Sequence, residues 1–108
     1  MKPFQIYITY VSWGSGGKRR PVLVFSLTEE TAFVYAVTSQ YETKSKTMQA
    51  KYFKINNWSH AGLVRLSYVD TSSYFRIPLS FLGEKAPIGE LSANDKLRLL
   101  EFLTQKQC

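Results

Sequence analysis

A chain of 108 residues, 44% hydrophobic and 15% aromatic, has enough apolar surface to fold around one core and too little length for two, so a single domain over 1–108 is expected. Those fractions exclude a disordered chain, and no apolar run reaches the ~20 residues that a membrane-crossing helix needs. Fourteen Lys and Arg against eight Asp and Glu, formally +6, favour nucleic acid or an acidic protein as partner, although such a charge can also serve only to keep a chain in solution.

The start, MKPFQIYITYVS, lacks the charged and apolar blocks of a secretion signal, so a cytoplasmic protein is expected. Phe4, Ile6, Ile8 and Tyr10 alternate with Gln5, Tyr7 and Thr9, the period of a half-buried strand. Residues 13–20, WGSGGKRR, set three glycines beside three consecutive cations and predict a mobile basic loop. Pro21 then opens PVLVFS, too short for a helix and rich in β-branched residues, as a central strand would be. Residues 32–39, AFVYAVTS, predict its hairpin partner, reached through a polar turn at 28–31.

Residues 40–46 carry Lys44 and Lys46 and read as a solvated loop, followed by a weaker strand over 47–55 that Asn56 and Asn57 stop. Beyond Trp58, short strands are expected over 63–69 and 74–78 around a polar turn at 70–73. Ser92-Ala93-Asn94-Asp95 has the spacing of a capping box and starts a terminal helix. Leu97, Leu100 and Leu103 form its apolar stripe, widened by Leu99 and Phe102, while Lys96, Arg98, Glu101 and Gln105 face out. The sole cysteine, Cys108, excludes an intrachain disulfide or a cysteine-held zinc ion, and no metal site is expected. Five to seven short strands in a curled, mostly antiparallel sheet with one C-terminal helix follow from these elements.

Two segments carry chemistry. Lys18-Arg19-Arg20-Pro21 sets Arg20 at the mouth of a buried strand, where a planar guanidinium can hold a phosphate by two parallel hydrogen bonds; a solubilising strand end is the alternative. Val37-Thr38-Ser39-Gln40 ends the partner strand in hydroxyls, and a tight hairpin would bring Thr38 close to Arg20. Trp13, Trp58, Tyr41 and Tyr52 could stack on unpaired bases; Trp13 is the better candidate because it sits in the basic segment, and Trp58 is read as structural. His60 is a conceivable acid or base, with a surface or structural histidine as the competing reading.

These residues resemble the MazF/PemK toxin family. Lys18, Arg20, Pro21, Leu23, Val24, Thr38 and Ser39 fit its first hairpin. Trp58, Ala61-Gly62-Leu63 and Ser67, with Ile88-Gly89, Leu91-Ser92 and Asp95 before the last helix, are similar to a PemK-like branch. The resemblance implies an SH3-like barrel of the CcdB/MazF/PemK type, a homodimer, and a toxin of a type II toxin-antitoxin system. It further implies metal-independent endoribonuclease activity on single-stranded RNA, without cofactors, restrained by an acidic antitoxin. By position, Arg20 and Thr38 are then the catalytic pair, and Trp13, Lys18, Arg19, Ser39, Gln40, Lys44 and Lys46 the RNA-binding residues. Two alternatives from another class are a CcdB-type poison that binds a topoisomerase and an inactive SH3-like interaction module.

Overall fold

Val22, Leu23 and Val24 offer water no polar side chain, and all three are fully buried, at 0% exposure. They occupy the middle of β2 (Gly16–Leu27), which pairs antiparallel with β1 (Gln5–Trp13) on one side and β3 (Thr31–Thr38) on the other. The computed structural model describes residues 2–13, 16–82 and 86–106, without the side chains of 11–13, 18 and 106. The further elements are α1 (Lys46–Gln49), β4 (Tyr52–Lys54), β5 (Tyr68–Pro78), α2 (Leu79–Leu82), β6 (Gly89–Glu90) and α3 (Ala93–Lys106). The strands form one curled antiparallel half-barrel in the order β4-β5-β3-β2-β1-β6. Mainly β with a C-terminal helix is therefore the architecture, as the sequence predicts. No helix among the described residues is long and apolar enough to cross a membrane.

Side chains alternate across a strand, so the sheet has two apolar faces. Ile6, Leu23, Val37, Phe53 and Val69 line one, beneath Leu99, Phe102 and Leu103 of α3. Tyr7, Val22, Val24, Val34 and Ile77 line the other, where Leu79 and Leu82 of α2 cover part of it. The two helices thus sit on opposite faces of the sheet.

Several local expectations are corrected. Residues 16–20 of the basic segment are strand, not loop: Trp13 pairs with Gly16 and Tyr10 with Arg19, so the first hairpin is long and β2 starts before Pro21. Phe4 precedes the first strand and takes a left-handed φ of 71°, held by an N–H donated to the Val24 carbonyl at 2.6 Å and a carbonyl accepting from Leu91 N–H at 3.0 Å. Within 47–55, residues 46–49 are helical because the Ser45 hydroxyl accepts from Met48 N–H at 3.3 Å and caps the turn; only residues 52–54 are strand.

Residues 63–67 are not a strand either. The Ser67 hydroxyl donates to the Arg65 carbonyl at 3.0 Å, a local bond that competes with a ladder. Residues 68–78 instead form one continuous strand, and the polar run 70–73 belongs to a bulge within it: β3 pairs Ala36 with Asp70 but Val34 with Phe75. Asp70 Oδ1 holds the bulge, accepting from Ser72 N–H at 2.9 Å and the Ser72 hydroxyl at 2.5 Å.

The apolar stripe of α3 is rotated from the expected one. Leu99 is fully buried and Phe102 and Leu103 are half-buried, whereas Leu97 and Leu100 are 63% and 48% exposed. Asp95 sets this phase. It is fully buried, accepting from Asn57 N–H at 2.8 Å and from Arg98 at 2.7 Å, and the Ser92 hydroxyl accepts from Asp95 N–H at 3.2 Å and the Asn57 amide at 2.8 Å. With Asp95 pointing inward, positions four and seven residues on share its face, and these are Leu99 and Phe102. Lys96 and Arg98, expected to face out, are half-buried: Lys96 pairs with Glu90, and Arg98 also lies over the Phe53 ring.

Gly62 and Gly89 meet at backbone level. A Cβ on Gly89 would lie 2.2 Å from the Ala61 carbonyl oxygen, and one on Gly62, whose φ is 85°, would lie 2.1 Å from that of Ile88. Gly89→Ala should therefore force the two segments apart and destabilise the fold by about 1–3 kcal/mol. Thermal unfolding should register that as a drop of about 4–8 °C for each kcal/mol. An unchanged melting temperature would show that the segments can separate freely.

Candidate functional site

Beyond Val22 towards the start of β2, the face that carries the second apolar cluster turns polar. Arg20 is next on that face, opposite Thr9 of β1, which is only 4% exposed. On the other side Val22 pairs with Ala36, and the same register carried two residues further sets Arg20 level with Thr38. Pro21 sits where the pairing with β3 gives out, a place in a sheet that tolerates a residue without an N–H.

Arg20 and Thr38 line one open groove of about 290 Å³, together with Arg19, Ser39, Gln40 and Arg65. Leu63, Val64 and Ser67 complete its wall, so three stretches of chain meet there: the start of β2, the end of β3 and the irregular run before β5. The Thr38 hydroxyl accepts from Gln40 N–H at 3.0 Å, which directs its own hydrogen elsewhere. Three guanidinium groups, three hydroxyls and an amide around one hollow can grip a multivalent oxyanion by charge-assisted hydrogen bonds. Among the described residues no three His, Cys, Asp or Glu side chains converge as metal ligands would.

Of the other residues singled out by sequence, Lys44 and Lys46 are exposed, on the 40–45 segment and at the start of α1, and do not line the groove. Lys18 and Trp13 belong to the first hairpin by backbone pairing, but their side chains lie outside the described residues, as does Cys108. His60 is exposed on the turn at 56–62, away from the groove lining, and Trp58 packs half-buried against the first core cluster.

Arg65 is the groove residue that sequence reasoning does not single out; a lone cation in a segment read as strand carries no signal of its own. Tyr52 and Asp70 form a second neighbourhood. They pair across β4 and β5, and the Tyr52 phenol is pushed above its ordinary value of 10.0 by burial and then by the Asp70 carboxylate, an effect that Arg20 partly offsets. Arg20 of the groove is thus within electrostatic reach of the Tyr52 phenol.

Burial also raises the phenols of Tyr7 and Tyr35. A phenol whose folded value lies above its unfolded one contributes stability that is whole below pH 10 and lost as pH rises through the folded value. Denaturant midpoints should accordingly fall above about pH 10, and the fall should be shallower in Tyr52→Phe. An alkaline decline of the same steepness in that variant would remove Tyr52 from the cause.

No protein-family model matches this chain, and no curated protein matches its sequence.

Proposed function

We propose that the groove binds the phosphodiester backbone of single-stranded RNA and that the protein is a MazF/PemK-like toxin, a metal-independent endoribonuclease on an SH3-like barrel. The observation that carries this reading is the convergence of Arg20 and Thr38, from different strands, in one open groove with Arg19 and Arg65. The sequence resemblance assigns its catalytic pair to those two positions. A homodimer and an acidic antitoxin that competes with RNA for the cations belong to the same proposal.

In this reaction the ribose 2′-hydroxyl gives up its proton to solvent as its oxygen bonds to the adjacent phosphorus. The bond from phosphorus to the 5′-oxygen breaks, that oxygen takes up a proton, and charge grows on the phosphoryl oxygens. Fixed donors aimed at that charge lower the barrier because they need no reorganisation as it develops. A guanidinium keeps its proton in proteins, so Arg20 acts through charge and hydrogen bonds. Thr38, whose oxygen already accepts from Gln40 N–H, donates its hydroxyl hydrogen to the phosphoryl group.

Arg20→Ala and Thr38→Ala should each reduce RNA cleavage about 10²–10³-fold, the usual effect of removing one such donor. Neither residue belongs to the apolar clusters, so circular dichroism and melting temperature should stay near wild type. Full cleavage by a folded variant would refute the assignment.

Incubation of the protein with a long RNA should yield a 2′,3′-cyclic phosphate or 3′-phosphate and a 5′-hydroxyl, equally well in a chelator. Products bearing a 5′-phosphate, or loss of activity in the chelator, would point to another chemistry.

A further inference from the structure

A second hollow of about 440 Å³ adjoins the groove. Ser39, Gln40 and Arg65 line both, whereas Tyr41, Glu42 and Tyr68 line only the second. The two therefore form one continuous surface, and its chemistry changes along the way. The groove adds Arg19 and Arg20 to the shared residues; the second hollow adds a carboxylate and two aromatic rings. A phosphate is drawn to the first and repelled by Glu42 in the second. An uncharged, flat group with hydrogen-bond donors fits the second instead.

The aromatic wall is ordered in advance. Tyr41 and Tyr68 stack with ring centroids 4.3 Å apart and planes 8° from parallel. Tyr68 is fixed in β5 opposite Thr38, and the Tyr41 carbonyl accepts from Lys44 N–H and from the Gln49 amide, both at 3.0 Å. A ligand that meets such a wall does not have to immobilise it. Gln40 and Glu42 add an amide and a carboxylate, groups that read the edge of a base and accept from its exocyclic amine.

We propose that this second hollow is a nucleobase subsite, which takes an unpaired base next to the phosphate held in the groove, with Tyr41 as the stacking residue and Arg65 at the junction. The subsite rests on the reading of the groove as a phosphodiester site. Volume supports it too, since hollows of ~300–1,000 Å³ are those that accept small organic groups.

Binding of a short single-stranded DNA, which lacks the 2′-hydroxyl and cannot be cut by the proposed reaction, tests this. Its control is the same strand with abasic residues, which keeps every phosphate. The wild type should bind the base-bearing strand about tenfold more tightly or better, as stacking on one aromatic residue allows. Tyr41→Ala should bring the ratio of the two affinities close to one, and Tyr41→Phe should keep it. Arg20→Ala should weaken both strands by the same factor.

A Tyr41→Ala protein with an unchanged ratio overturns the subsite, and the groove still stands if Arg20→Ala weakens both strands. Loss of the preference in Tyr41→Phe as well as in Tyr41→Ala overturns stacking as its basis. A wild type that binds neither strand overturns the subsite and the groove together.

Discussion

Where Val22 pairs with Ala36 decides what Arg20 can face. The side-chain period of a strand is two, so a slip of one residue between β2 and β3 would carry Arg20 away from Thr38 and offer the groove a core residue instead. The run 22–24 cannot set this register alone, because it is buried on both faces and apolar either way. Its flanks do. Towards the turn the pairing shifts by one residue between Val24 and Ser26, and the extra residue, Phe25, stacks on Tyr35 at 4.2 Å. That bulge lets the turn at 28–31 close by its own hydrogen bonds while the other end of the hairpin keeps Arg20 level with Thr38.

The third wall of the groove, residues 63–67, has no ladder to hold it and depends on what lies behind it. Gly62 and Gly89 let two backbones meet where no side chain would fit, and Asn57 is tied to Asp95 and Ser92 at the start of α3. Five of the ten residues that resemble the PemK-like pattern, Ala61, Gly62, Gly89, Ser92 and Asp95, therefore position the wall and do not line the groove. Loss of one Asp95 partner would leave a buried carboxylate short of a hydrogen bond, which costs more than the bond contributes. The helix and the groove wall are coupled through that carboxylate.

The elements legible in the sequence were those with a local cause: the β2 run with its β-branched residues, the β3 run, and the helix announced by Ser92 and Asp95. The convergence of Arg20 with Thr38 was legible because a hairpin has only one simple pairing. What escaped has physical reasons. Ser45 caps a turn, but a lone serine in a polar segment reads as loop, and the alternation over 47–55 reads as strand. The bulge at 71–74 depends on Asp70 bonding to Ser72, and a polar cluster reads the same whether a strand turns or swells there. The rotation of α3 follows from a buried aspartate, and periodicity counts only apolar residues. Arg65 enters the groove through the packing of an irregular segment, which no pattern encodes.

The cations of the groove are not equivalent. Arg19 and Arg65 are exposed, so their attraction reaches outward and is screened by salt, while Arg20 is half-buried beside the fully buried Val22 and the nearly buried Thr9. An exposed charge gathers a polyanion from a distance but fixes it loosely. A charge set against an apolar core faces less competition from water and holds an oxygen in a defined place. The groove thus combines a lip suited to capture with a floor suited to orientation, and Thr38, anchored by Gln40, stands at the floor. That order follows from the sheet: the alternation that buries Val22 also brings Arg20 to the edge of the core, one step short of solvent.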